Sequence, residues 1–268
     1  MPEGPSLVIL REQAAVFAGH TIDHAEGTSN NPETGVDMDA LAGQPVLDVR
    51  TFGKHFILRL GDRALRIHLL MFGTYRINET KDAKARLSLF FDDGSTLHFY
   101  TCSVKTITDD LDREYDWRAD VMADAWSPAL ALKKLRARPD LLVCDALLDQ
   151  TIFAGVGNII KNEVLFRIRL HPLSTVGNVP AAKLRELVAQ ARTYSFDFLG
   201  WKREGVLKQH WLAHTRRICP RCNIAFERGH LGKTQRRSFF CGRCQKLYAA
   251  TPAPSGSTLR SRKTPPVS

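Results

Sequence analysis

The 268-residue chain lacks two features, a run approaching 18 consecutive apolar residues and a basic residue ahead of its first apolar stretch. The first absence excludes a membrane-spanning helix, and the second argues against a secretory signal peptide. Hydrophobic residues make up 44% of the chain and charged residues 25%, as in ordinary globular proteins. The length allows one large domain or two to three compact ones. We therefore expect a cytoplasmic protein with no membrane partner.

Acidic residues are scarce in the last quarter of the chain. Residues 202–268 contain two Asp or Glu against 15 Lys or Arg, whereas residues 1–201 contain 26 against 23. Charge of one sign concentrated in one region indicates a polyanionic partner, most often nucleic acid. The alternative is a basic tail that only improves solubility. Because most of this charge lies in a segment with the signals of a folded module, we favour nucleic acid and a nucleoid-associated protein.

Cysteine is also sparse, and its six occurrences are unevenly placed. Cys102 and Cys144 stand alone among apolar residues, as buried small hydrophobic side chains do. The other four form two CxxC pairs separated by 18 residues, which is the ligand pattern of a structural zinc site. Two disulfides are the alternative, which a reducing compartment disfavours. We predict one structural Zn²⁺, with these ligands: Cys219, Cys222, Cys241 and Cys244.

The hydrophobic periodicity changes twice along the chain. An apolar stripe predicts a short helix that begins near Pro5 and ends at Gly19, and alternating patterns over 21–107 predict an all-β region of about eight strands. An acidic connector follows at 109–127, and helical patterns then extend from Pro128 to Trp201. The last residues are rich in Pro and Ser and basic, which predicts disorder.

A glycine-rich turn, GVGN at 155–158, precedes one of the predicted helices. Two glycines at a helix start leave several backbone N–H groups free, and such a turn can hold a phosphate. An ordinary tight connector between packed helices explains the same residues. This motif alone does not decide between the two interpretations.

The N-terminal sequence MPEGP carries a second chemical signal. Removal of Met1 would leave Pro2 with a free secondary amine, which is much less basic than a lysine and can form an iminium with an aldehyde-like carbon. Glu3 beside it could act as a general acid–base. An incidental proline at position 2 is the alternative, since many chains begin in this way.

The combination of MPEGP, Gly53-Lys54-His55 after a strand, GVGN and a terminal CxxC…CxxC module resembles the Fpg/Nei family of DNA glycosylases. The resemblance covers residues 1–248, and the MPEGP opening is closer to the endonuclease VIII (Nei) branch. It implies a multidomain α+β fold with an N-terminal β-sandwich preceded by a helix. The implied domains are a catalytic domain at 1–116, a helix–two-turn–helix DNA-binding domain at 126–217, a zinc-ribbon finger at 218–248 and a disordered basic tail at 249–268.

The resemblance also implies a mechanism. Pro2 would displace the damaged base at C1′ and form a Schiff base with the opened sugar, while Glu3 would protonate the ring oxygen. Elimination at the 3′ and then the 5′ phosphate would break the strand. Lys54 matches the family's essential lysine, which contacts phosphate and assists the chemistry.

Further positions match residues that grip DNA in the family. Gly157 and Asn158 belong to the motif that holds the kinked backbone through phosphate. Arg236 matches the family's zinc-finger arginine, and we include it among the predicted catalytic residues. An error of one residue in the register would give this role to Arg237. A planar guanidinium can bind phosphate bidentately, which suits this position.

The base must leave the stack before its sugar can react, and the vacancy needs a wedge. The matching residues here are Leu70, Met71 and Phe72, which are more apolar than the usual set of the branch. An apolar strand with inward side chains is the alternative, although three consecutive large apolar residues exceed what a two-faced strand buries. Ser6 replaces an acid that commonly follows this N-terminal motif. We leave His210 and His214 unassigned.

The sequence thus predicts a monomeric bifunctional DNA glycosylase/AP lyase that removes oxidised bases, pyrimidines favoured, from damaged double-stranded DNA. A formamidopyrimidine/8-oxoguanine glycosylase of the same family is one alternative. A zinc-ribbon DNA-binding protein without catalysis is another, but it would not require Pro2, Glu3 and Lys54 together. A structural protein with a zinc ribbon leaves the N-terminal residues unexplained.

Overall fold

The computed structural model describes residues 2–28, 36–108 and 110–249; Met1 and the predicted disordered tail beyond residue 249 lie outside these ranges. The strands are β1 Ile22–Glu26, β2 Asp48–Phe52, β3 His55–Arg59, β4 Ala64–Ile77, β5 Leu87–Phe91, β6 Thr96–Ile107, β7 Glu227–Leu231 and β8 Arg236–Phe240. The helices are α1 Gly4–Ala14, α2 Leu111–Glu114, α3 Pro128–Arg136, α4 Val143–Ala146, α5 Asn158–Arg167 and α6 Ala181–Arg203. Short 3₁₀ turns lie at Ala15–Phe17, Asp39–Leu41, Trp117–Ala119, Val176–Asn178 and Leu207–His210.

Strands β1 to β6 form one antiparallel sheet in the order β1-β5-β6-β4-β3-β2. The segment leading into β2 joins the two edges, because Gly43 N–H donates to Ile22 O in β1 and Leu47 N–H donates to Arg59 O in β3. The sheet therefore curves into two layers with one core between them. This is the expected N-terminal β-sandwich.

The β-region contains six strands within the described residues, fewer than the eight or so that the sequence predicts. The reason is the length of β4 and β6, which span 14 and 12 residues. The pairing of these strands jumps from Leu69–Cys102 to Thr74–Tyr100, so four residues of β4 face a single residue of β6. Such a β-bulge bends a strand without ending it. The apolar run before Gly73 consequently belongs to one continuous strand.

The core of the β-sandwich lies between the sheet layers and α1. Leu7 and Leu10 of α1 are fully buried, and the rings of Phe56 and Phe99 from β3 and β6 lie 5.6 Å apart. Burial of a large apolar side chain contributes roughly 1.5–3 kcal/mol to stability. α1 begins with Pro5 in its first turn, where proline lacks only an amide that the helix does not use.

The helical patterns predicted from Pro128 to Trp201 are confirmed as α3 to α6, which pack around a second apolar core. α5 is the central helix of this region, since seven consecutive residues from Ile160 to Phe166 are buried. Three of these are polar or charged: Lys161, Asn162 and Glu163. No helix within the described ranges is long and apolar enough to cross a bilayer.

The last described segment is a hairpin, β7–β8, with one cysteine pair before it and one after it. It is joined to the helical region at its base, where Leu170 forms a parallel bridge with Lys246. Its second strand, β8, runs beside α5. The hairpin thus lies against the same helix that the GVGN turn precedes.

Candidate active site

Three backbone segments that are distant in sequence meet at the start of α1. Gly4 N–H donates to Gly155 O at 2.8 Å. A Cβ on Gly4 would lie 2.9 Å from Gly155 Cα, and one on Gly53 would lie 2.9 Å from Gly155 N. Gly53 and Gly155 have φ angles of 55° and 96°, which glycine adopts most easily. The glycines therefore allow the N-terminus, the β2–β3 turn that carries Lys54 and the GVGN turn to come together.

The Glu3 carboxylate lies at the N-terminus of α5. Its Oε1 accepts the N–H of Ile159 at 2.7 Å, and its Oε2 accepts those of Gly157 and Ile160 at 3.2 Å each. A helix leaves these first amides without internal partners, and the positive end of its dipole favours a negative charge. Because Glu3 is only 2% exposed, these bonds determine the orientation of its carboxylate.

The closeness of Glu3 explains why residue 157 is a glycine. A Cβ at this position would lie 2.4 Å from Glu3 Cδ, so no side chain fits between the turn and the carboxylate. A bound phosphate was one of two interpretations of this turn, and the structure shows that the Gly157 N–H is donated to Glu3. The N–H groups of Gly155, Val156 and Gly157 are therefore used inside the protein.

Burial shifts the protonation of both charged groups near the N-terminus. It raises the pKa of Glu3, although the three backbone donors and Lys54 oppose the shift. It lowers the pKa of Lys54, as Arg236 also does, while Glu3 acts in the opposite direction. Both shifts favour the uncharged forms. A carboxyl group with a raised pKa is suited to donating a proton near neutral pH.

Two cavities meet at the N-terminus. One of about 640 Å³ is lined by residues from both halves of the chain, including Glu3, Lys54, Met71, Asn158 and Arg236. We call this cavity the cleft. Pro2 lines the second cavity, of about 1150 Å³, and Ile159 borders both. The structure thus brings together the predicted catalytic residues, which are up to 234 positions apart in the sequence.

The two candidate arginines on β8 face different surroundings. Arg236 lines the cleft, whereas the Arg237 guanidinium lies over the Phe239 ring, 5.4 Å from its centre. Asn158 Nδ2 donates to the Arg237 carbonyl at 2.9 Å, and Asn158 Oδ1 is buried without a hydrogen-bond partner among the described residues. Of the two registers that the sequence left open, the structure therefore places Arg236 in the cleft.

The three residues predicted as a wedge are exposed. Leu70 is 41% exposed, Met71 51% and Phe72 82%, and they occupy the β4 bulge. Phe72 has a φ angle of 69°, an uncommon value for a bulky residue. The bulge turns all three side chains away from the core, so the alternative of an inward-facing apolar strand is wrong.

Sequence reasoning missed Asp120, which lies in the predicted connector. This aspartate is buried, and it accepts Gly53 N–H at 2.8 Å and Met122 N–H at 2.9 Å. Burial raises its pKa to about 6. By holding Gly53, it holds the turn that carries Lys54. No local signal distinguished it from the other acidic residues of 109–127.

The two unassigned histidines have different environments. The His210 ring stacks on Trp201, 4.1 Å between centres, and is packed against protein. His214 lines the cleft, and burial lowers its pKa to about 4. Buried Glu163 holds the His214 segment by accepting the N–H groups of Leu212, Ala213 and His214 at 2.8–3.0 Å.

The four cysteines of the two CxxC pairs come together at the open end of the hairpin. Their Sγ atoms all lie within 4.8 Å of one another, and Cys219 Sγ is 3.8 Å from Cys244 Sγ. Zn–S bonds of ~2.3 Å in a tetrahedral site place sulfur atoms ~3.8 Å apart, so the cluster fits a zinc ion. None of the four forms a disulfide. Cys102 and Cys144 are buried, as predicted.

Family models match two parts of the chain: the formamidopyrimidine-DNA glycosylase N-terminal domain over residues 1–102, and the H2TH domain of the same enzyme over residues 120–194. Two solved structures share the fold. A viral DNA glycosylase superposes with a TM-score of 0.80 at 19% identity, over 91% of this chain and 100% of that chain. The Lactococcus lactis formamidopyrimidine DNA glycosylase bound to AP-site DNA gives 0.78 at 21%, over 91% and 99%.

Curated relatives are similar in sequence over most of this chain. Endonuclease 8-like 3 of Xenopus laevis is 30% identical over 88% of this chain and 39% of its own length. DNA-(apurinic or apyrimidinic site) lyase Nei2 of Mycolicibacterium smegmatis is 29% identical over 76% and 84%. The chain spans 34–39% of the length of the first three Endonuclease 8-like 3 proteins that it matches. From the two domain matches and these relatives, we conclude that the chain belongs to the Fpg/Nei family, on its endonuclease VIII branch.

Proposed function

We propose that the chain is a bifunctional DNA glycosylase and AP lyase of base-excision repair. The observation that carries this proposal is that buried Glu3 shares the cleft with Lys54 and Arg236, while Pro2 lines the adjoining cavity. A binding protein without catalysis would not require Pro2, Glu3 and Lys54 together. The names of the relatives, Endonuclease 8-like and AP lyase Nei2, support the same activity.

The proposed reaction begins with the amine of Pro2 after removal of Met1. The nitrogen lone pair attacks C1′ as the C1′–base bond breaks, the base leaves with the bonding electrons, and the proton of the Pro2 nitrogen passes to the departing base. Glu3 then gives its proton to O4′ as the C1′–O4′ bond opens, which produces an iminium between Pro2 and the sugar. Loss of a C2′ proton expels the 3′ phosphate, and loss of a C4′ proton expels the 5′ phosphate. Water finally releases the sugar fragment from Pro2.

Two positive side chains and one amide at the cleft would hold the DNA backbone. Lys54, Asn158 and Arg236 line the cleft and would contact phosphates next to the lesion. The exposed wedge residues Leu70, Met71 and Phe72 would fill the space of the extruded nucleotide. Because residues 202–268 carry 15 basic and two acidic residues, affinity should fall steeply with salt.

The preference for oxidised pyrimidines rests on the membership in the endonuclease VIII branch. The extruded base would enter the larger cavity beside Pro2, which Trp211 and Phe198 also line. At about 1150 Å³ this cavity does not exclude a purine by size. An 8-oxoguanine glycosylase is therefore the second candidate. Single-turnover excision of 5-hydroxyuracil and of 8-oxoguanine from otherwise identical duplexes distinguishes the two.

The parts of the chain divide the work in this proposal. Residues 1–116 carry the chemistry, residues 126–217 bind the DNA, and residues 218–248 form a zinc-ribbon finger that presents Arg236. The four clustered cysteines would hold one Zn²⁺, which would organise the finger and take no part in the reaction. The protein would act as a monomer on damaged double-stranded DNA at the nucleoid in the cytoplasm.

Borohydride trapping on a labelled duplex with one abasic site tests the proposal. Protein shown by mass to begin at Pro2 should give a covalent adduct that maps to the N-terminal peptide. Pro2→Gly and Glu3→Gln should reduce the reaction, whereas Glu12→Gln, an exposed glutamate on α1, should not. Binding without an adduct would contradict the lyase mechanism and favour a DNA-binding protein without catalysis.

A further inference from the structure

The position of Arg236 at the cleft is not explained by the cysteine cluster alone. The cysteines lie at the open end of the β7–β8 hairpin, whereas Arg236 is the first residue of β8, next to the turn. Cys241 follows Arg236 by five positions along the strand, a distance of roughly 16 Å at ~3.3 Å per residue. A metal at the open end leaves the turn end of a two-stranded hairpin without support, and such hairpins are only marginally stable by themselves.

Asp145 holds the turn of the hairpin. This aspartate of α4 is 6% exposed, and its carboxylate accepts Lys233 N–H at 2.9 Å, Thr234 N–H at 3.1 Å and the Thr234 hydroxyl at 2.8 Å. Gly232 makes room for it, since a Cβ there would lie 2.3 Å from Asp145 Oδ2. The carboxylate thus fixes the backbone two and three residues before Arg236.

Lys161 holds the strand on the other side of Arg236. This lysine of α5 is 1% exposed, and its Nζ donates to Ser238 Oγ at 2.8 Å and to the Arg237 carbonyl at 3.4 Å. Its neighbour Asn162 accepts the Phe239 N–H at 3.1 Å. α5 therefore fixes β8 immediately after Arg236, on the helix whose first turn holds Glu3.

The Asp145 carboxylate and the Lys161 ammonium are both buried, and burial of a charge costs free energy of folding. Removal of an ammonium group from water costs several kcal/mol, and apolar replacements of buried charges are often neutral or stabilising. Burial lowers the pKa of Lys161 to about 8, as the charge of Arg236 also does, although Asp145 and Glu3 act in the opposite direction. Neither Asp145 nor Lys161 has a role in the reaction proposed above.

We propose that Asp145 and Lys161 are positioning residues that hold Arg236 at the cleft, independently of the cysteine cluster. Asp145 fixes the turn before Arg236, and Lys161 fixes the strand after it. The backbone that carries the Arg236 guanidinium is therefore held on both sides. This inference rests on the proposed function, because it assigns the anchors a purpose in the same site.

A double-mutant cycle with the zinc-loaded protein tests the inference. Lys161→Met keeps the length of the side chain and removes its charge and donors. We expect it to leave the melting temperature unchanged or raised, and to lower the single-turnover rate of abasic-site cleavage by about tenfold to a hundredfold, the range for lost hydrogen bonds to a charged group. Arg236→Ala should lower the rate at least as much. The double variant should be no slower than Arg236→Ala, because the anchor acts only through that arginine.

Asp145→Asn provides a second variant, since the amide presents N–H groups to donors on the turn. It should show the same lack of additivity with Arg236→Ala. Lys183→Met is the matched control: Lys183 is a partly buried lysine of α6 that donates to the Ile168 carbonyl, away from the hairpin. It should leave the rate unchanged. Zinc content, measured by metal analysis, should stay at the native value in every variant.

The outcomes separate this inference from the proposed function. If the native protein gives no adduct or cleavage, the proposed function fails. If the native protein cleaves and Lys161→Met and Asp145→Asn cleave equally well, the positioning role is wrong. Rate losses that multiply with that of Arg236→Ala, or that follow a loss of zinc or of melting temperature, would also overturn it, because they would assign the two residues to general stability.

Discussion

Two interiors of this protein are equally buried but chemically different. The β-sandwich core is apolar, with Leu10, Phe56 and Phe99 fully buried. α5 buries Lys161, Asn162 and Glu163 to 0–2% exposure. The hydrophobic effect has no direction, so the first interior stabilises a layer without specifying each contact. Hydrogen bonds require direction and distance, so the second interior determines where particular backbone segments lie.

This comparison extends to the segments that each interior holds. The partners of the α5 side chains come from residues 212–214 and from β8, and the first turn of α5 binds Glu3. All three segments border the cleft. The polar interior therefore brings the segments of the candidate site together, whereas the apolar interior stabilises the β-sandwich.

Glu3→Gln against Leu10→Ala is the strongest test of this division. Loss of a general acid–base should lower the single-turnover excision rate by about 10²–10⁴-fold, with at most about 1–2 kcal/mol lost in the free energy of unfolding. Leu10→Ala should lower that free energy by about 2–5 kcal/mol and leave the rate per folded molecule near the native value. Excision assays and urea denaturation on the same preparations measure both. A Glu3→Gln protein that lost stability but kept its excision rate would contradict this division between positioning and stability.

Gly157→Ala should reduce activity by a smaller factor. The new Cβ would lie 2.4 Å from Glu3 Cδ, so the carboxyl group must move from the end of α5. We expect about a tenfold to hundredfold lower excision rate and a loss of about 1–3 kcal/mol from overpacking. Gly200→Ala is the control, because a Cβ there meets no atom within 4 Å, and alanine should slightly stabilise α6. Equal excision rates for the two variants would contradict the role of Gly157.

Asp120→Asn should change how stability depends on pH. The Asp120 pKa is raised from 3.8 to about 6, so the folded state binds the proton more tightly than the unfolded state. The native protein therefore loses stability as pH rises from about 4 to about 6, by about 3 kcal/mol at most from this group. Asp120→Asn should lack this loss. Urea denaturation of both proteins across this interval measures it, and parallel curves would show that Asp120 does not titrate as its burial requires.

Phe72→Ala should have the smallest effect on the fold. Because Phe72 is 82% exposed, the free energy of unfolding should change by no more than about 0.5 kcal/mol. If the ring stacks on DNA bases, the affinity for an abasic duplex should fall by about tenfold, as expected for a loss of ~1–3 kcal/mol of stacking. Val16→Ala is the control, because Val16 is 65% exposed and lies outside the wedge. It should change neither quantity. Fluorescence anisotropy measures the affinity, and equal values for both variants would remove Phe72 from the wedge.

Local patterns in the sequence predicted much of the architecture. Periodicity located α3 to α6, and the two CxxC pairs predicted the cysteine cluster that the structure forms. These features depend on neighbours within a few residues, so they can be inferred without knowledge of the fold. The number of strands was overestimated because β4 and β6 span 14 and 12 residues and leave fewer residues of the region for other strands.

Roles that depend on distant partners could not be inferred in this way. Asp120 lies in an acidic connector, and Asp145 and Lys161 lie in predicted helices. Only the fold shows that each is buried beside backbone donors or acceptors. The GVGN turn suggested phosphate binding or a tight connector, and neither interpretation anticipated that the Gly157 N–H would bind Glu3. The sequence by itself determined the elements and the chemistry available to them, because both follow from residue type and spacing. The tertiary structure alone decided which charged groups share a site, since burial and hydrogen-bond geometry arise only when distant segments meet.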